Sequence, residues 1–354
     1  MNGGAFSDVL DEWTLRHGVV VRGAVDLTAL SRCGFSDFVR ARLSPVADAL
    51  GFDAASLSAR SAPWELFPWA KSVVVAAIPF SALPAPGRFP PPPSVVSPSG
   101  KVAGYASRVD YHRHGRAAMD SLGVLLNSVA VGSVRFESAV DSAGVAERAL
   151  ALAAGIARLE GGSGSLALVE GGGAGCFLAE LFLDIAPSAL DARDAFEFDA
   201  AELSRSDRVV AGGKCPYGAV SADGELDVTR CVSYFTTMRR GYLDRVERRL
   251  VGDWLFGCDR CSVAVPGTDL PPAVEVDLEW LLFASASEVG DSVSETPMEH
   301  AGPTMLRRNA LAVLENRGDA VALDLVSRFS RSTGSGLLEK MAVEVAGNIR
   351  SSIG

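Results

Sequence analysis

Four cysteines between residues 215 and 261 constrain this chain more than any other feature of its sequence. They occur as Cys215-Pro216, Cys231 and a Cys258-x-x-Cys261 pair, whereas the other two of the six cysteines, Cys33 and Cys176, match no motif. Four cysteine thiolates are a ligand set that proteins use for iron–sulfur clusters and for structural zinc. The segment that contains them is therefore expected to fold around a metal group.

The spacing of these cysteines favours a cluster. Two-cluster ferredoxins use runs of the form C-x2-C-x2-C-x3-C-P, in which the last cysteine binds the other cluster. Traced backwards from Cys215-Pro216, this template falls on Arg205, Arg208 and Ala211, and traced forwards from Cys258-x-x-Cys261 it ends on Val265. One ligand set is missing and the other is complete. We therefore predict a ferredoxin-like segment with one 4Fe–4S cluster, held by Cys215, Cys231, Cys258 and Cys261.

Two alternatives stay open for the cysteines. Four cysteines can hold a structural zinc ion, and a free cysteine is often a small buried hydrophobic residue. The long gap between Cys231 and Cys258 fits neither a common zinc-ribbon spacing nor a compact zinc finger. The Cys-Pro pair is typical of ferredoxins rather than of zinc sites.

Composition places the chain among globular proteins of two or three domains. It has 354 residues, 48% of them hydrophobic and 21% charged, which is enough for a sizeable core. No apolar run approaches the roughly 20 residues of a membrane helix, and the acidic N-terminal segment does not resemble a signal peptide. We expect a cytoplasmic protein without a membrane contact. The net charge of −10 argues against nonspecific binding of nucleic acid.

The first half of the chain has an α/β pattern. Val73 to Ile78 is a continuous apolar run, which predicts a buried strand. The Pro-rich segment 89–93 must be a surface loop. Val145 to Leu159 is predicted to be a helix and Leu166 to Val169 a strand, and Gly171 to Gly173 is a turn rather than a phosphate loop because no Lys-Ser or Lys-Thr follows it.

The C-terminal part is predicted to be helical. Amphipathic segments begin at Thr304 and Ala320, a polar turn at 316–319 separates them, and a third helical segment runs from Leu337 to Ile349. Paired amphipathic helices of this kind are typical of HEAT-like repeats. One pair and one further helix are too few to fold alone, so they should pack on the preceding domain.

Several segments beyond the cysteines resemble the epoxyqueuosine reductase family, whose members depend on cobalamin and iron–sulfur clusters and are related to reductive dehalogenases. The matching segments begin at Arg60, Gly104, Val140, Leu178, Arg230, Gly257 and Arg308 and follow the order of the family. The chain would be a divergent member that has lost one of the two clusters.

The resemblance implies an α+β fold of three domains. Residues 1–196 would form a nitroreductase-like α/β domain that binds cobalamin, 197–272 a ferredoxin-like iron–sulfur domain, and 273–354 a short HEAT-like helical domain. The cobalamin would be bound base-off, without a protein imidazole on cobalt, so His112 is not expected to be a cobalt ligand.

The resemblance also implies the site residues. Asp141 would be the proton donor, and desolvation beside a corrin would raise its pKa; the alternative role for Asp141 is a helix N-cap. The substrate pocket would be formed by Tyr105, Asp110, Tyr111 and His112. The implied cobalamin contacts are Arg60, Ser142, Ala143, Ser165, Ser233 and Asp259.

Two departures from the family bear on the substrate. The turn 160–163 lacks the family's Lys and Trp, and the segment 293–300, where the family has a basic stretch that helps to hold tRNA, is acidic. The whole segment 269–299 contains no Lys or Arg. Together with the net charge, this argues against a tRNA substrate.

We therefore predict a reductase that acts on a small molecule or specialised metabolite. The cluster would pass electrons from an external donor, such as flavodoxin or ferredoxin, to cobalt, and Asp141 would supply the proton. Three alternatives remain: a redox-neutral cobalamin enzyme that starts a radical or rearrangement reaction, a cobalamin carrier without catalysis, and a tRNA epoxyqueuosine reductase.

Overall fold

The computed structural model describes residues 3–141, 144–160, 166–192, 215–221 and 226–353. The strands are β1 (Val21–Asp26), β2 (Ser72–Pro79), β3 (Ser99–Val102), β4 (Phe136–Ala139), β5 (Ala157–Glu160), β6 (Leu166–Val169), β7 (Cys176–Leu183), β8 (Trp254–Phe256) and β9 (Val274–Asp277). The helices are α1 (Gly3–Arg16), α2 (Leu27–Leu30), α3 (Phe35–Leu43), α4 (Ala47–Leu50), α5 (Ala54–Ser61), α6 (Pro63–Leu66), α7 (Tyr111–Val129), α8 (Glu147–Ala153), α9 (Arg245–Val251), α10 (Arg260–Val263), α11 (Leu278–Phe283), α12 (Ala286–Val293), α13 (Gly302–Arg317), α14 (Ala320–Ser332) and α15 (Gly336–Ile353).

A four-stranded antiparallel sheet of order β1-β2-β7-β4 forms the centre of the N-terminal half. Every residue of β2 is buried, which confirms the buried strand expected from its apolar run. Its side chains alternate between two cores, because successive residues of a strand point to opposite faces. Val73 and Val75 belong to one core, and Val74 and Ala76 to the other.

A second, three-stranded sheet has the order β8-β3-β9. The segment 83–98, which includes the Pro-rich run, carries the chain from the first sheet to β3, and it contains no helix or strand. The buried residues around this second sheet extend from Val102 through Leu255 to Ile349. They come from both sides of position 272, so the predicted iron–sulfur and C-terminal segments share one core.

The C-terminal helices occur where the sequence predicts helical segments. Helices α13, α14 and α15 pack against one another, and α13 also packs on β8 and α9. Their buried side chains include Leu311, Val326 and Val345. No helix in the described ranges combines the length and apolar character needed to cross a membrane.

The helix predicted from Val145 to Leu159 is shorter in the structure. Helix α8 covers only Glu147–Ala153, and β5 follows at Ala157–Glu160. Gly155 adopts a φ of 70° between them, a conformation that glycine tolerates and that ends a helix. Strand β5 then pairs with β6, which is the strand predicted at Leu166 to Val169. Tertiary pairing thus overrides the helical propensity of the Ala- and Leu-rich segment.

Candidate functional site

Asp141 lies in a loop just beyond the end of β4. Its φ is 51°, in the left-handed region that costs energy for a residue with a Cβ atom. Helix α8 begins only at Glu147, with Ala146 at its N-cap position. The alternative role of Asp141 as the N-cap of this helix is therefore wrong. Its backbone N–H instead donates a hydrogen bond to Glu147 Oε2 over 3.1 Å.

Two side chains at the start of α7, Tyr111 and His112, hold the carboxylate of Asp141, and Asp110 orients His112. Asp110 is the N-cap of this helix, and its Oδ1 is 2.7 Å from His112 Nδ1. His112 Nε2 is 3.1 Å from Asp141 Oδ2, and the Tyr111 hydroxyl donates a hydrogen bond to the same oxygen. The rings of Tyr111 and His112 stack at 4.0 Å. Asp141 is therefore bound at both its backbone and its side chain.

These contacts decide where the protons of the site reside. Burial alone would raise the pKa of Asp141, but the hydrogen bonds from His112 and Tyr111 and the positive charges of His112 and Arg148 hold it below its ordinary value. The direction is opposite to the one expected from the sequence. Burial, followed by the charge of Asp141, raises the pKa of Glu147 to about 8. Because like charges in one site disfavour joint ionisation, Glu147 keeps a proton while Asp141 is ionised.

A cavity of about 450 Å³ connects Asp141 with the cysteines. Its wall contains Asp141, Arg60 and Ser233 together with Cys215, Cys231, Cys258 and Cys261. The structure thus brings together predicted site residues that are far apart in the sequence. Tyr105, Asp110, Tyr111, His112 and Asp259 are not in the lining of this cavity; Tyr111 and His112 contact Asp141 from α7. The candidates Ser142, Ala143 and Ser165 lie outside the described residues.

The remaining predicted contacts lie around the same cavity. The guanidinium of Arg60 stacks on the ring of Phe52 at 4.0 Å. Ser233 hydrogen-bonds the hydroxyl of Tyr105, a buried group whose pKa is raised chiefly by desolvation. Asp259 is buried and accepts the N–H of Gly104 over 2.7 Å. This bond fastens the segment before α7 to the loop between Cys258 and Cys261.

The four cysteines share one environment. Burial raises the pKa of Cys258 to about 12, with smaller increases from the charges of Cys261 and Cys231. Burial and the charges of Cys231 and Cys215 also raise the pKa of Cys261. Neighbouring thiols whose ionisation is disfavoured, as at Cys231, Cys258 and Cys261, fit a cationic iron core, because a bound metal ion deprotonates a coordinating thiol. Among the described residues, no three His, Cys, Asp or Glu side chains form a site for a single metal ion.

A buried polar network supports the segment after Cys231. Residues Tyr234–Met238 form one turn of π-helix. Arg308, in α13, donates to the carbonyl oxygens of Phe235 and Gly241 over 2.6 and 3.1 Å. Asn309 donates to the carbonyl oxygens of Thr236 and Leu255, each over 2.9 Å. The C-terminal helices therefore reach the segment that carries Ser233.

Two acidic residues of the site were not singled out from the sequence. Glu147 contacts the backbone of Asp141. Glu180 lies in β7 opposite Ala139, is fully buried, and has no hydrogen-bond partner for either carboxyl oxygen among the described residues. Burial, with the charges of Glu147 and Asp141, raises the pKa of Glu180 well above its ordinary value. Glu180 could have been identified from the sequence as an acidic residue within the apolar run of β7.

Two family models match the chain. "Epoxyqueuosine reductase QueG, DUF1730" matches residues 60–142, and "4Fe-4S double cluster binding domain" matches residues 213–266. The second match identifies a 4Fe–4S-binding domain. It covers all four clustered cysteines, and these are the only cysteines between 213 and 266.

Curated relatives carry one name. An epoxyqueuosine reductase of Pseudomonas aeruginosa is 30% identical over 281 residues, which are 75% of this chain and 74% of that protein. An epoxyqueuosine reductase of Vibrio cholerae is 32% identical over 61% of this chain and 55% of that protein. The matches to Vibrio cholerae and Salmonella typhimurium span about half of the length of those relatives, 55% and 50%.

Solved structures show the same fold. A selenomethionine-labelled epoxyqueuosine reductase has a TM-score of 0.78 at 23% identity and covers 98% of this chain and 91% of its own. An epoxyqueuosine reductase with a tRNA-Tyr epoxyqueuosine-modified stem loop has a TM-score of 0.75 at 22% identity and the same coverage. A third, from Bacillus subtilis, has a TM-score of 0.75 at 22% identity, covers 98% of this chain and 91% of its own, and has its catalytic loop swung out of the active site.

The expectation of a small-molecule substrate, with tRNA excluded, is wrong. The relatives are epoxyqueuosine reductases, and one solved neighbour holds a tRNA stem loop. The error came from counting the charges of the segment 269–299 without their partners, although most of its acidic side chains are exposed. Many of its acidic side chains are engaged within the chain: Glu275 with Ser99, Asp277 and Glu288 as helix caps, Glu279 with Arg328, Glu295 with Gly87, and Glu299 with Arg113.

The order of the motifs, the shared fold and the matching cysteine domain agree with one another. The relative from Pseudomonas aeruginosa extends over three quarters of both chains. The resemblance inferred from the sequence is confirmed, and the chain belongs to the epoxyqueuosine reductase family.

Proposed function

We propose that this protein is a tRNA epoxyqueuosine reductase that uses cobalamin and one 4Fe–4S cluster. The observation that carries the proposal is the single cavity whose wall contains both Asp141 and the four clustered cysteines. A proton donor and an electron-transfer group that border one space can act on the same bound substrate. Membership of the family supplies the substrate, the epoxyqueuosine nucleoside of a tRNA.

The residues around the cavity fit cobalamin. Its wall is largely apolar, with side chains such as Phe38, Val39 and Val232, and an apolar wall with a few polar groups is typical of a site for an organic cofactor. Arg60, Ser233 and Asp259 would hold the periphery of the corrin, with Ser142, Ala143 and Ser165 as further candidates. When bound base-off, cobalamin would supply a cobalt centre that can be reduced.

The protein's own residues would orient the nucleoside and manage protons. Deoxygenation of an epoxide to an alkene takes up two electrons and two protons and releases water. Asp141 lies at the cavity wall and would deliver a proton to the oxygen of the substrate. Because Asp141 is ionised at rest, it must first take up a proton from the solvent or from a neighbouring acid. Tyr105, Asp110, Tyr111 and His112 would form the substrate side of the pocket behind Asp141.

The cysteines Cys215, Cys231, Cys258 and Cys261 would hold the cluster. The segment 213–266 has no further cysteines, so a second cluster with four cysteine ligands cannot be built from it. A 4Fe–4S cluster passes one electron at a time, and an external donor such as flavodoxin or ferredoxin would therefore reduce it twice per turnover. The three segments predicted from the sequence, 1–196, 197–272 and 273–354, remain part of this proposal as regions of the chain, with the last two sharing one core.

The tRNA would approach the open side of the cavity. Arg148 and Arg260 lie in its wall and are exposed at the surface. In contrast, Arg308 is buried, and Arg317 and Arg328 pair with acidic residues. The C-terminal helices keep exposed basic residues at Arg331, Lys340 and Arg350, so phosphate contacts are expected from exposed arginines beside the cavity and from these positions.

The direct test is turnover with a defined RNA. Protein purified without oxygen and loaded with cobalamin is given an epoxyqueuosine-containing tRNA stem loop and reduced flavodoxin, and the nucleosides are analysed by mass spectrometry. Loss of one oxygen atom from the modified nucleoside is expected. Cluster and cobalamin contents are measured from the optical spectrum of the same sample. A fully loaded protein that leaves the nucleoside unchanged, while a known relative converts it, would contradict the proposal.

A further inference from the structure

The backbone of Asp141 is held in a strained conformation by one side chain. At a φ of 51°, Asp141 occupies a region that residues with a Cβ atom adopt only when the surrounding structure fixes it. Its N–H is bound by Glu147 Oε2 at 3.1 Å. Gly144 also has a positive φ, of 74°.

Glu147 is well placed to fix this loop. It is the first residue of α8, and Ala149 and Leu150 of the same helix are buried in the core beside β2 and β7. Helix α8 also contacts β7. The carboxyl group of Glu147 is therefore attached to a rigid element, whereas Asp141 is on a loop. The hydrogen bond between them restrains the backbone of Asp141 relative to the helix.

The protonation of the site favours the same arrangement. Burial raises the pKa of Glu147 to about 8 and raises that of Glu180 well above its ordinary value. A neutral Glu147 accepts the N–H of Asp141 through its carbonyl oxygen without placing a second negative charge beside the ionised Asp141. Glutamine has the same shape and the same acceptor, so it is a close substitute for the neutral acid.

We propose that Glu147 is the positioning residue of Asp141: its hydrogen bond to the Asp141 backbone holds the loop so that the Asp141 carboxylate meets Tyr111 and His112 at the cavity wall. The consequence for turnover rests on the proposed function, whereas the consequence for the loop does not. Glu147 acts through Asp141 and not through the substrate.

The test compares Glu147→Ala, Glu147→Gln and Glu137→Ala in the full-length protein. Glu137 is an exposed residue of β4, so its removal is a matched control close to the loop. Hydrogen–deuterium exchange of the peptide that contains Asp141 is measured with and without cobalamin. We expect exchange to rise about tenfold in Glu147→Ala, the size of a lost hydrogen bond, and to stay near wild type in Glu147→Gln and Glu137→Ala.

Kinetics of the same variants provide the second measurement. If the loop positions Asp141 for proton transfer, Glu147→Ala lowers kcat about tenfold or more and leaves KM nearly unchanged, and Glu147→Gln recovers most of the loss. The optical spectrum must show that each variant still binds cobalamin. Unchanged exchange in Glu147→Ala would overturn the proposal, as would a glutamine variant that fails as completely as alanine.

The two proposals can fail separately. If wild-type protein does not reduce epoxyqueuosine but Glu147→Ala frees the loop, the proposed function is wrong and the positioning role stands. If wild-type protein is active and Glu147→Ala changes neither exchange nor kcat, the positioning role is wrong and the function stands.

Discussion

The two walls of the cavity are held in place by different kinds of contact. The wall around Asp141, called the local wall below, is held by Tyr111, His112 and Glu147, which lie 30, 29 and 6 positions from Asp141 in the sequence. All three hydrogen bonds involve a titratable side chain or the backbone next to one. The wall around Ser233 and Cys231, called the cluster wall below, depends on Arg308, which donates hydrogen bonds to carbonyl oxygens 73 and 67 positions away in the sequence. The first wall should therefore respond to pH and to single local changes, and the second to changes in distant helices and to the metal.

The difference shows how one site can combine adjustable and fixed parts. Proton transfer requires groups whose charge can change, and these lie on one loop and one helix start. Cluster binding would require four thiolates at fixed separations, and the four cysteines lie in loops or, for Cys261, in the short helix α10. A helical layer packed behind those segments supplies the missing rigidity.

Removal of one cysteine should prevent cluster binding and leave the local wall around Asp141 intact. In Cys258→Ala, iron should fall from about four atoms per chain, the stoichiometry of one 4Fe–4S cluster, to near zero, and turnover should be lost. Hydrogen exchange of the Asp141 loop should not change. Cys33→Ala is the control, because Cys33 lies outside the clustered set, and it should keep its iron. Iron near eight per chain in wild type, or stoichiometric zinc without iron, would contradict the single cluster.

Asp141→Asn should lower the rate of turnover without loss of iron or cobalamin. The amide keeps the shape of the side chain but cannot deliver a proton, and general acid groups typically contribute about 10²–10⁴-fold in rate. Single-turnover measurements should show a loss on this scale, with iron and cobalamin contents equal to those of wild type. Full activity in a fully loaded variant would remove Asp141 from the mechanism.

Asn309→Ala should weaken the cluster wall from a distance. The change leaves the buried carbonyl oxygens of Thr236 and Leu255 without their donor, which costs about 1–3 kcal/mol. Urea unfolding should show a decrease of that size in the free energy of unfolding, and iron should be released faster to a chelator. Asn127→Ala is the matched control: Asn127 is exposed and bonds only the N–H of Val134 in the described structure. Equal iron release from both variants would mean that the network does not support the cluster.

The stability of the local wall should depend on pH through His112. Burial alone would lower the pKa of His112, but its hydrogen bonds and charge interactions with Asp110 and Asp141 raise it to about 9. The folded state therefore prefers protonated His112. Its stabilisation is fully present below the unfolded pKa of about 6.5 and is lost as pH rises through about 9.

Unfolding measurements of wild type and His112→Gln between pH 6 and 10 would test this. The free energy of unfolding lost in His112→Gln relative to wild type should decrease as pH rises from 6 to 10. His114, two positions along the same helix, is the control, because burial lowers its pKa. The folded state disfavours protonated His114. The free energy of unfolding of His114→Gln relative to wild type should therefore increase as pH falls below about 6.5. A difference for His112→Gln that does not change with pH would contradict the role of its charge.

The sequence indicated the parts of this molecule whose patterns are local. The strand at 73–78 and the C-terminal helices could be read from continuous or periodic apolar residues, and both occur in the structure. The family could be read from the order of short motifs. The helix from Val145 to Leu159 could not be predicted correctly, because the pairing of β5 with β6 decides the conformation of its second half.

The error about the substrate had the same origin. Charge counts treat every acidic residue as an unpaired charge, whereas Glu279 and Glu299, although partly exposed, each pair with an arginine, 49 and 186 positions away respectively. The partners of a charged residue are set by the fold, and no local pattern reveals them. Glu147 was missed for a related reason: its role depends on the backbone direction of Asp141, which only coordinates provide.

The residue types of the candidate site, four cysteines and one aspartate in a family order, could be identified without the fold, because thiols and carboxyl groups have an intrinsic reactivity. Only the tertiary structure decided their state. It brought the four cysteines and Asp141 to one cavity, ionised Asp141 by placing His112 and Tyr111 against it, and left Glu147 and Glu180 protonated by burying them. The reason is physical, since a pKa depends on desolvation and on the charges within a few ångströms, and both are properties of the folded chain.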